Sequence, residues 1–332
     1  MERIAQQPLA ERDASLLLHL LPDGRLEDRR FADLPNLLRA GDLLVANDTR
    51  VRRARLLGYD IDGHDIELLV LARAEDGTYE CLARPARLAT PGTILMIGTD
   101  LQATVTGVSA THPGGRSVTF DSDDPDEAIE RHGQAPLPPY IRTELHDPDR
   151  YQTIYATGDP GSAAAPTAGL HFTAPIIERL RDAGINWTTL RLDVGLATFA
   201  PIRADRIEDH PMHEERYTLP AAAADTIEQT HRAGGRVIAV GTTVVRVLET
   251  CALNDGALHA GSGSTRLFIK PGHHFRIVDG LVTNFHQPRS SLLVLLAAFV
   301  DTDHWRDAYT HALSGDYRFL SLGDCMLCWR AA

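Results

Sequence analysis

The segment Asp209-His-Pro-Met-His-Glu-Glu215 gathers three carboxylates and two imidazoles around one proline. Proline removes a backbone donor and breaks a helix, so these side chains can turn toward one pocket instead of spreading around a cylinder. Carboxylates and imidazoles at close range are the groups that move protons in catalysis. The plain alternative is a surface loop with solvated charges. The same proline keeps His210 and His213 from standing one turn apart on a helix, and no metal site is expected.

Three strand-to-helix junctions carry the remaining chemistry. The loop Gly161-Ser-Ala-Ala-Ala-Pro-Thr-Ala-Gly169 offers small side chains that let a ligand approach the backbone, and Thr173 with Pro175 reads as the cap and first turn of a helix ending at Gly184. Apolar Val237-Ile-Ala-Val240 runs into Gly241-Thr-Thr243 and a helix with Arg246 and Glu249 on one face. Free amides, hydroxyls and Arg246 together suit a carboxylate or a phosphate. A predicted strand Ile277 to Val282 leads to Thr283-Asn-Phe-His-Gln-Pro288, with Ser290 capping an apolar helix. Asn284 and His286 then stand at the mouth of a sheet, where open α/β folds bind ligands. Taken singly each junction reads as well as an ordinary turn or cap. Three in one domain favour a shared pocket.

The elements that must position these groups fall into two textures. Residues 1–51 mix an apolar segment, Leu16 to Leu21, with a predicted helix Phe31 to Arg39 and strand-like Leu43-Leu-Val45. From Arg53 to Phe120 short alternating runs are broken by Asp-Gly, Pro-Gly and Gly-Gly turns, which predicts a small antiparallel unit. Its strands fall at Ala54 to Ile61, Ile66 to Ala72, Tyr79 to Ala83, Thr93 to Ile97, Leu101 to Val108 and Arg116 to Phe120, enough to close a barrel. After Asp121 helix and strand alternate. The expected organisation is an α/β domain of residues 1–52 and 122–332 with residues 53–121 inserted.

The whole chain has 332 residues and a formal charge of −12, which disfavours indiscriminate nucleic-acid binding but allows a local basic patch. Lys270 is its one lysine, so the positive charge is nearly all arginine, densest at Arg50, Arg52, Arg53 and Arg55. The longest apolar run, Leu292 to Val300, is too short to cross a bilayer. Glu2, Gln6, Gln7 and Glu11 interrupt any opening signal segment, so a cytoplasmic location is expected. Cys325 and Cys328 form a C-x-x-C within a predicted strand, which reads as core packing before redox chemistry. There is no dinucleotide or Walker motif, since Gly261-Ser-Gly-Ser leads into a predicted strand, Leu267-Phe-Ile269.

Taken together the motifs resemble the tRNA ribosyltransferase-isomerase family. The blocks are Asn47-Asp-Thr-Arg-Val51 with Ala54-Arg-Leu56, Pro136-Leu-Pro-Pro-Tyr-Ile141, Tyr151-Gln-Thr-Ile-Tyr155 and Ala164-Ala-Pro-Thr-Ala-Gly-Leu-His-Phe172. They continue with Asp209 to Glu215, Val240-Gly-Thr-Thr-Val-Val-Arg246, Leu267-Phe-Ile-Lys-Pro-Gly272, Leu281-Val-Thr-Asn-Phe-His286 and Tyr317-Arg-Phe319 with Gly323-Asp324. The chain departs from the family at Asp193-Val-Gly-Leu-Ala-Thr-Phe199, which lacks a glycine and a preceding histidine, and at Arg289, where an acidic residue is usual.

The resemblance implies an open-barrel-like α/β domain with an inserted, closed antiparallel β-barrel. It also implies a reaction: the ribosyl part of S-adenosylmethionine passes to the amine of 7-aminomethyl-7-deazaguanine in the tRNA wobble position and rearranges, giving epoxyqueuosine while adenine and methionine leave. S-adenosylmethionine is then a consumed substrate, and no cofactor is implied. Base and acid candidates in the matched motifs are Asp209, His210, His213, Glu215, His171 and His286. Substrate contacts are expected at Asn47, Thr49, Arg50, Tyr140, Pro166, Thr167, Gly169, Thr198, Gly241, Thr242, Thr243, Arg246 and Asn284. Arg52, Arg53 and Arg55 are expected to meet tRNA, and a monomer is expected. Competing readings are a transferase that uses S-adenosylmethionine on a small molecule, marked by adenine release without tRNA, and a tRNA-binding module without catalysis.

Overall fold

The computed structural model describes residues 3–109, 114–158, 160–195, 198, 201–252 and 257–331. Along the chain run strands β1 (Leu16–Leu20), β2 (Leu26–Arg30), β3 (Leu43–Asn47), β4 (Arg55–Tyr59), β5 (Asp65–Arg73), β6 (Tyr79–Arg84), β7 (Ile94–Ile97), β8 (Leu101–Val108) and β9 (Arg116–Asp121). They continue as β10 (Asn186–Leu192), β11 (Glu215–Leu219), β12 (Val237–Val240), β13 (Gly261–Thr265), β14 (Gly280–Asn284) and β15 (Cys325–Trp329). The helices are α1 (Leu34–Leu37), α2 (Pro125–His132), α3 (Ala174–Asp182), α4 (Ala221–Arg232), α5 (Thr242–Cys251), α6 (Ser291–Val300) and α7 (Thr302–Ser314). Contacts divide the chain into Met1–Arg50 with Pro138–Ala332, and Val51–Leu137.

The second unit is a closed barrel in the order β4-β5-β6-β9-β8-β7. Period-two alternation sends Leu56, Ile66, Leu68, Val70, Leu95, Ile97, Val105 and Val118 inward, all nearly fully buried. Gly77, at φ +86°, makes the Asp76-Gly77 turn between β5 and β6 possible. Helix α2 is capped by Asp124, whose side chain accepts the Glu127 amide at 3.0 Å, and buries Ala128 and Ile129 in the barrel core. The alternating pattern places this insert at 53–121, and contacts extend the unit to Val51–Leu137 because α2 and the Arg55–Gln134 bridge belong to it.

The larger unit is a nine-stranded mixed sheet in the order β13-β11-β10-β3-β12-β14-β15-β1-β2. Its centre, β10-β3-β12-β14, is parallel throughout. Such strands are covered on both faces and read as continuous apolar runs. Leu43 and Val45 pack on one face with α4 to α7, through Ile227, Val244, Leu248, Leu296, Phe299 and Ala308, while Leu44 and Ala46 pack on the other with Leu34, Phe172, Ile176 and Leu180. Cys325 and Cys328 fall on opposite faces of β15 and are buried, which excludes a bond between them and fits core packing.

Three predicted elements differ. The span Phe31 to Arg39 forms a 3-10 turn and the short α1, ended at Leu38 in extended backbone. Gly261–Thr265 is itself the edge strand, paired with β11, and Leu267–Ile269 is outside any strand. The amides of Arg276, Ile277 and Val278 donate to the buried Glu249 carboxylate at 2.9, 3.1 and 3.2 Å, so they are taken from the ladder and β14 begins only at Gly280.

Candidate active site

The four parallel strands end on one edge of the sheet at Leu192, Asn47, Val240 and Asn284. Asn47 is fully buried and extends the β3–β10 pairing: its Oδ1 accepts the Leu192 and Thr49 amides at 3.1 Å, and its Nδ2 donates to the Leu192 carbonyl at 2.9 Å. Thr49 in turn donates to Asp193 at 2.8 Å. Both side chains hold the rim in shape. At the end of β12, Gly241 turns the chain at φ +93°, a conformation that favours glycine, and opens α5 with Thr242 and Thr243 at its first turn.

Over this edge lies a solvent-open cleft of ≈ 620 Å³, walled among others by Tyr140, Pro166, Thr167, Gly241, Asn284 and His286. A polar chain fixes its floor. Thr167 donates to Asn284 Oδ1 at 2.9 Å, and Asn284 Nδ2 donates to His171 Nε2 at 3.3 Å. An amide NH₂ only donates, so Nε2 accepts and the proton sits on Nδ1, which donates to Ser15 Oγ at 2.8 Å. Burial, aided by the Arg318 charge, pushes His171 down to about 3. Neutral, with both nitrogens engaged, His171 positions Asn284 and is poorly placed to take a proton.

His286 faces the cleft. Its Nε2 lies 2.9 Å from Thr283 Oγ1, its amide donates to Tyr309 Oη at 2.6 Å, and burial pushes its pKa down to about 4. Tyr140 Oη meets Ser321 Oγ at 2.6 Å, and burial raises its pKa to about 12, keeping a neutral hydroxyl in the wall.

A second cavity, also open to solvent, is walled by His210, His213, Glu215, Arg246 and Phe268, and shares Thr198, Thr242, Thr243 and Leu292 with the first. Glu215 and Arg246, each 6% exposed, form a buried ion pair. Glu215 Oε1 also accepts the Gly195 amide at 3.0 Å and the Thr198 hydroxyl at 3.2 Å, and Arg246 Nε donates to the Leu267 carbonyl at 3.2 Å. Arg246 Nη2 is buried without a partner among the described residues. A carboxylate so occupied serves as an anchor. The free guanidinium N–H, beside the start of α5, suits an incoming anion. His210 leans edge-on against Phe268, with ring centroids 5.7 Å apart.

The remaining expected site residues are placed otherwise. Asp209 is exposed and lines neither cavity. Arg50 is exposed, and its carbonyl accepts the Gly161 and Ser162 amides at 3.2 and 3.1 Å. Gly169 is required by packing, since a Cβ there would lie 2.0 Å from Tyr155 Oη. Within the barrel unit, Arg52 pairs with Asp126 at 2.6 Å, Arg55 pairs with Glu67 at 2.7 Å, and the Arg53 amide donates to Glu130 at 3.1 Å. Sequence reasoning missed Ser321, Met212, Phe268 and Leu292 as wall residues. Ser321 stood between two matched blocks, Tyr317-Arg-Phe319 and Gly323-Asp324, which was the available signal.

A sequence model described as "Queuosine biosynthesis protein" matches residues 1–328. The chain belongs to that family. A queuosine-family relative in Moorella thermoacetica, the S-adenosylmethionine:tRNA ribosyltransferase-isomerase, is 51% identical over 330 residues, covering 98% of this chain and 96% of the relative. A protein of the same name in Dechloromonas aromatica is 46% identical over 332 residues, covering 98% and 93%. The crystal structure of S-adenosylmethionine tRNA ribosyltransferase from Thermotoga maritima is similar with a TM-score of 0.56 at 36% identity, covering 98% of this chain and 96% of that one. The expected α/β domain with an inserted, closed antiparallel β-barrel is observed as a mixed sheet with helices and a closed six-stranded barrel.

Proposed function

We propose that this chain is an S-adenosylmethionine:tRNA ribosyltransferase-isomerase acting on 7-aminomethyl-7-deazaguanine in the tRNA wobble position. The observation that carries the reading, beside family membership, is the pair of cavities that share a wall at the carboxyl edge of the sheet, one polar and neutral, the other holding a free Arg246 N–H. Arg246 Nη2 and the first turn of α5 take the methionine carboxylate. The adenosyl part crosses Thr242 and Thr243 into the cleft, where Asn284, Thr167 and Tyr140 offer neutral donors and acceptors to a base and a ribose.

The sulfonium acidifies its neighbouring carbon. A base removes that proton, adenine leaves, and the tRNA amine adds to the unsaturated sugar, which closes to the epoxide as methionine departs. His210 and His213 line the cavity that holds Arg246, and the base is assigned to this pair. Glu215 is assigned the role of holding Arg246 and Thr198, and His286 that of a neutral hydrogen-bonding group near the departing adenine. S-adenosylmethionine is consumed, so the scheme contains no cofactor and no metal. A cytoplasmic monomer meeting tRNA is the matching cellular reading.

The base assignment is tested by exchange of the sulfonium-adjacent protons with solvent. His210→Ala and His213→Ala should retain the parent melting temperature, and one of them should lose exchange and adenine release together. Parent rates in both variants would move the base to His286.

A further inference from the structure

A third cavity, open to solvent, is walled by Arg12, Arg150 and Arg318 together with Ser15, His171 and Ser321. The arginines come from distant segments: a 3-10 turn before β1, the turn Pro148–Tyr151, and the stretch between α7 and β15. Arg12 and Arg150 are tied down by carbonyls. Arg12 donates to Leu170 and Asp149 at 3.1 and 3.3 Å, and Arg150 to Ala10 and Leu9 at 3.0 and 2.7 Å. Carbonyls fix a guanidinium without cancelling its charge. Arg150 Nε is buried with no partner among the described residues. Arg318 lies 3.6 Å from Asp324, whose two oxygens already accept the Leu16 and Arg318 amides at 2.9 and 2.7 Å.

Two groups here are shifted by burial first and by the neighbouring arginines second. Burial and then the Arg150 charge hold Arg12 below its ordinary value, against a weaker pull from Asp147, and the Arg318 and Arg12 charges add to the burial that depresses His171.

We propose that this cavity receives a backbone phosphate of the tRNA, next to the nucleotide whose base enters the cleft. The proposal rests on the tRNA reading above. Ser321 walls both cavities, and the His171–Asn284 contact joins their floors, so a phosphate and its base reach them from one nucleotide stretch. Guanidinium forks fit phosphate oxygens two at a time. A free phosphate presents the same chemistry, and the test separates the two sources.

Binding of the tRNA is measured without S-adenosylmethionine across a salt series. Arg318→Gln, whose side chain makes only long contacts, and Arg12→Gln should each weaken binding several-fold at low salt and lower the slope of log affinity against log salt by about one. Arg232→Gln, at the end of α4 where Arg232 pairs with Glu228, should keep the parent slope. Inorganic phosphate, added at constant ionic strength, should compete with tRNA on the parent and lose this effect in Arg318→Gln. Unchanged slopes in both cavity variants, each folded by thermal denaturation, overturn the proposal. So does a phosphate effect that is lost in Arg318→Gln while its tRNA slope stays at the parent value, which marks a site for free phosphate. Either result leaves modification of tRNA by the parent standing, whereas a parent that does not bind tRNA overturns this proposal and the functional reading together.

Discussion

Replacing Arg246 separates anchoring from substrate binding. Arg246 and Glu215 are each 6% exposed, and Arg246→Gln leaves the Glu215 carboxylate buried with only the Gly195 amide and the Thr198 hydroxyl. Removing one partner of a buried pair costs about 3–5 kcal/mol, which for a unit of this size lowers the melting temperature by roughly 6–20 °C. Glu215→Gln should cost a similar amount, because it strands the guanidinium. The double variant Glu215→Gln with Arg246→Gln removes both charges, so part of the loss should return, with a coupling of about 0.5–3 kcal/mol. Activity should not follow. If Arg246 Nη2 holds the methionine carboxylate, KM for S-adenosylmethionine stays raised at least ~10-fold in the double variant, the loss of one charge-assisted hydrogen bond. Thermal denaturation and steady-state adenine release measure the two quantities on the same samples. A double variant that recovers both stability and KM would show that Arg246 serves only the fold.

Two further outcomes follow from the packing. His171 titrates at about 3 when folded against ~6.5 unfolded, so between these values the unfolded chain binds the extra proton; stability is complete above about 6.5 and falls by up to ~1.4 kcal/mol per pH unit toward acid. His171→Gln should flatten this limb in denaturant titrations between about pH 6 and pH 4, and an unchanged slope would refute the neutral, buried assignment. Gly169→Ala should destabilise by about 1–3 kcal/mol, because its Cβ would stand 2.0 Å from Tyr155 Oη, a buried hydroxyl without a partner among the described residues. Tyr155→Phe should be neutral or stabilising alone and should restore part of the Gly169→Ala loss; a Gly169→Ala chain melting with the parent would contradict the contact.

The barrel was legible because each strand carries its own alternation and each hairpin its own turn residues, so Leu101–Val108 emerged with its observed bounds. The carboxyl edge was legible too, since Val240-Gly-Thr-Thr and Val282-Thr-Asn combine a buried apolar run with polar junction residues. What escaped depended on distant partners. Glu249 draws the Ile277 and Val278 amides out of the ladder, and nothing near residue 277 announces that acceptor. The arginine cluster read from local density, Arg52 to Arg55, has Arg52 and Arg55 in ion pairs with Asp126 and Glu67, while the one that lines a cavity is assembled from residues 12, 150 and 318. Glu215 reads as a base candidate in its segment, and nothing there announces its buried ion pair with Arg246, 31 residues away.

Ribosyl transfer to tRNA is tested by incubating the chain with S-adenosylmethionine and tRNA that carries 7-aminomethyl-7-deazaguanine, digesting the tRNA and weighing its nucleosides. The aminomethyl nucleoside should be converted to epoxyqueuosine, with one adenine and one methionine released for each conversion and none without the tRNA. Adenine released at the same rate without tRNA, or a nucleoside that keeps its mass while the tRNA stays bound, would contradict it.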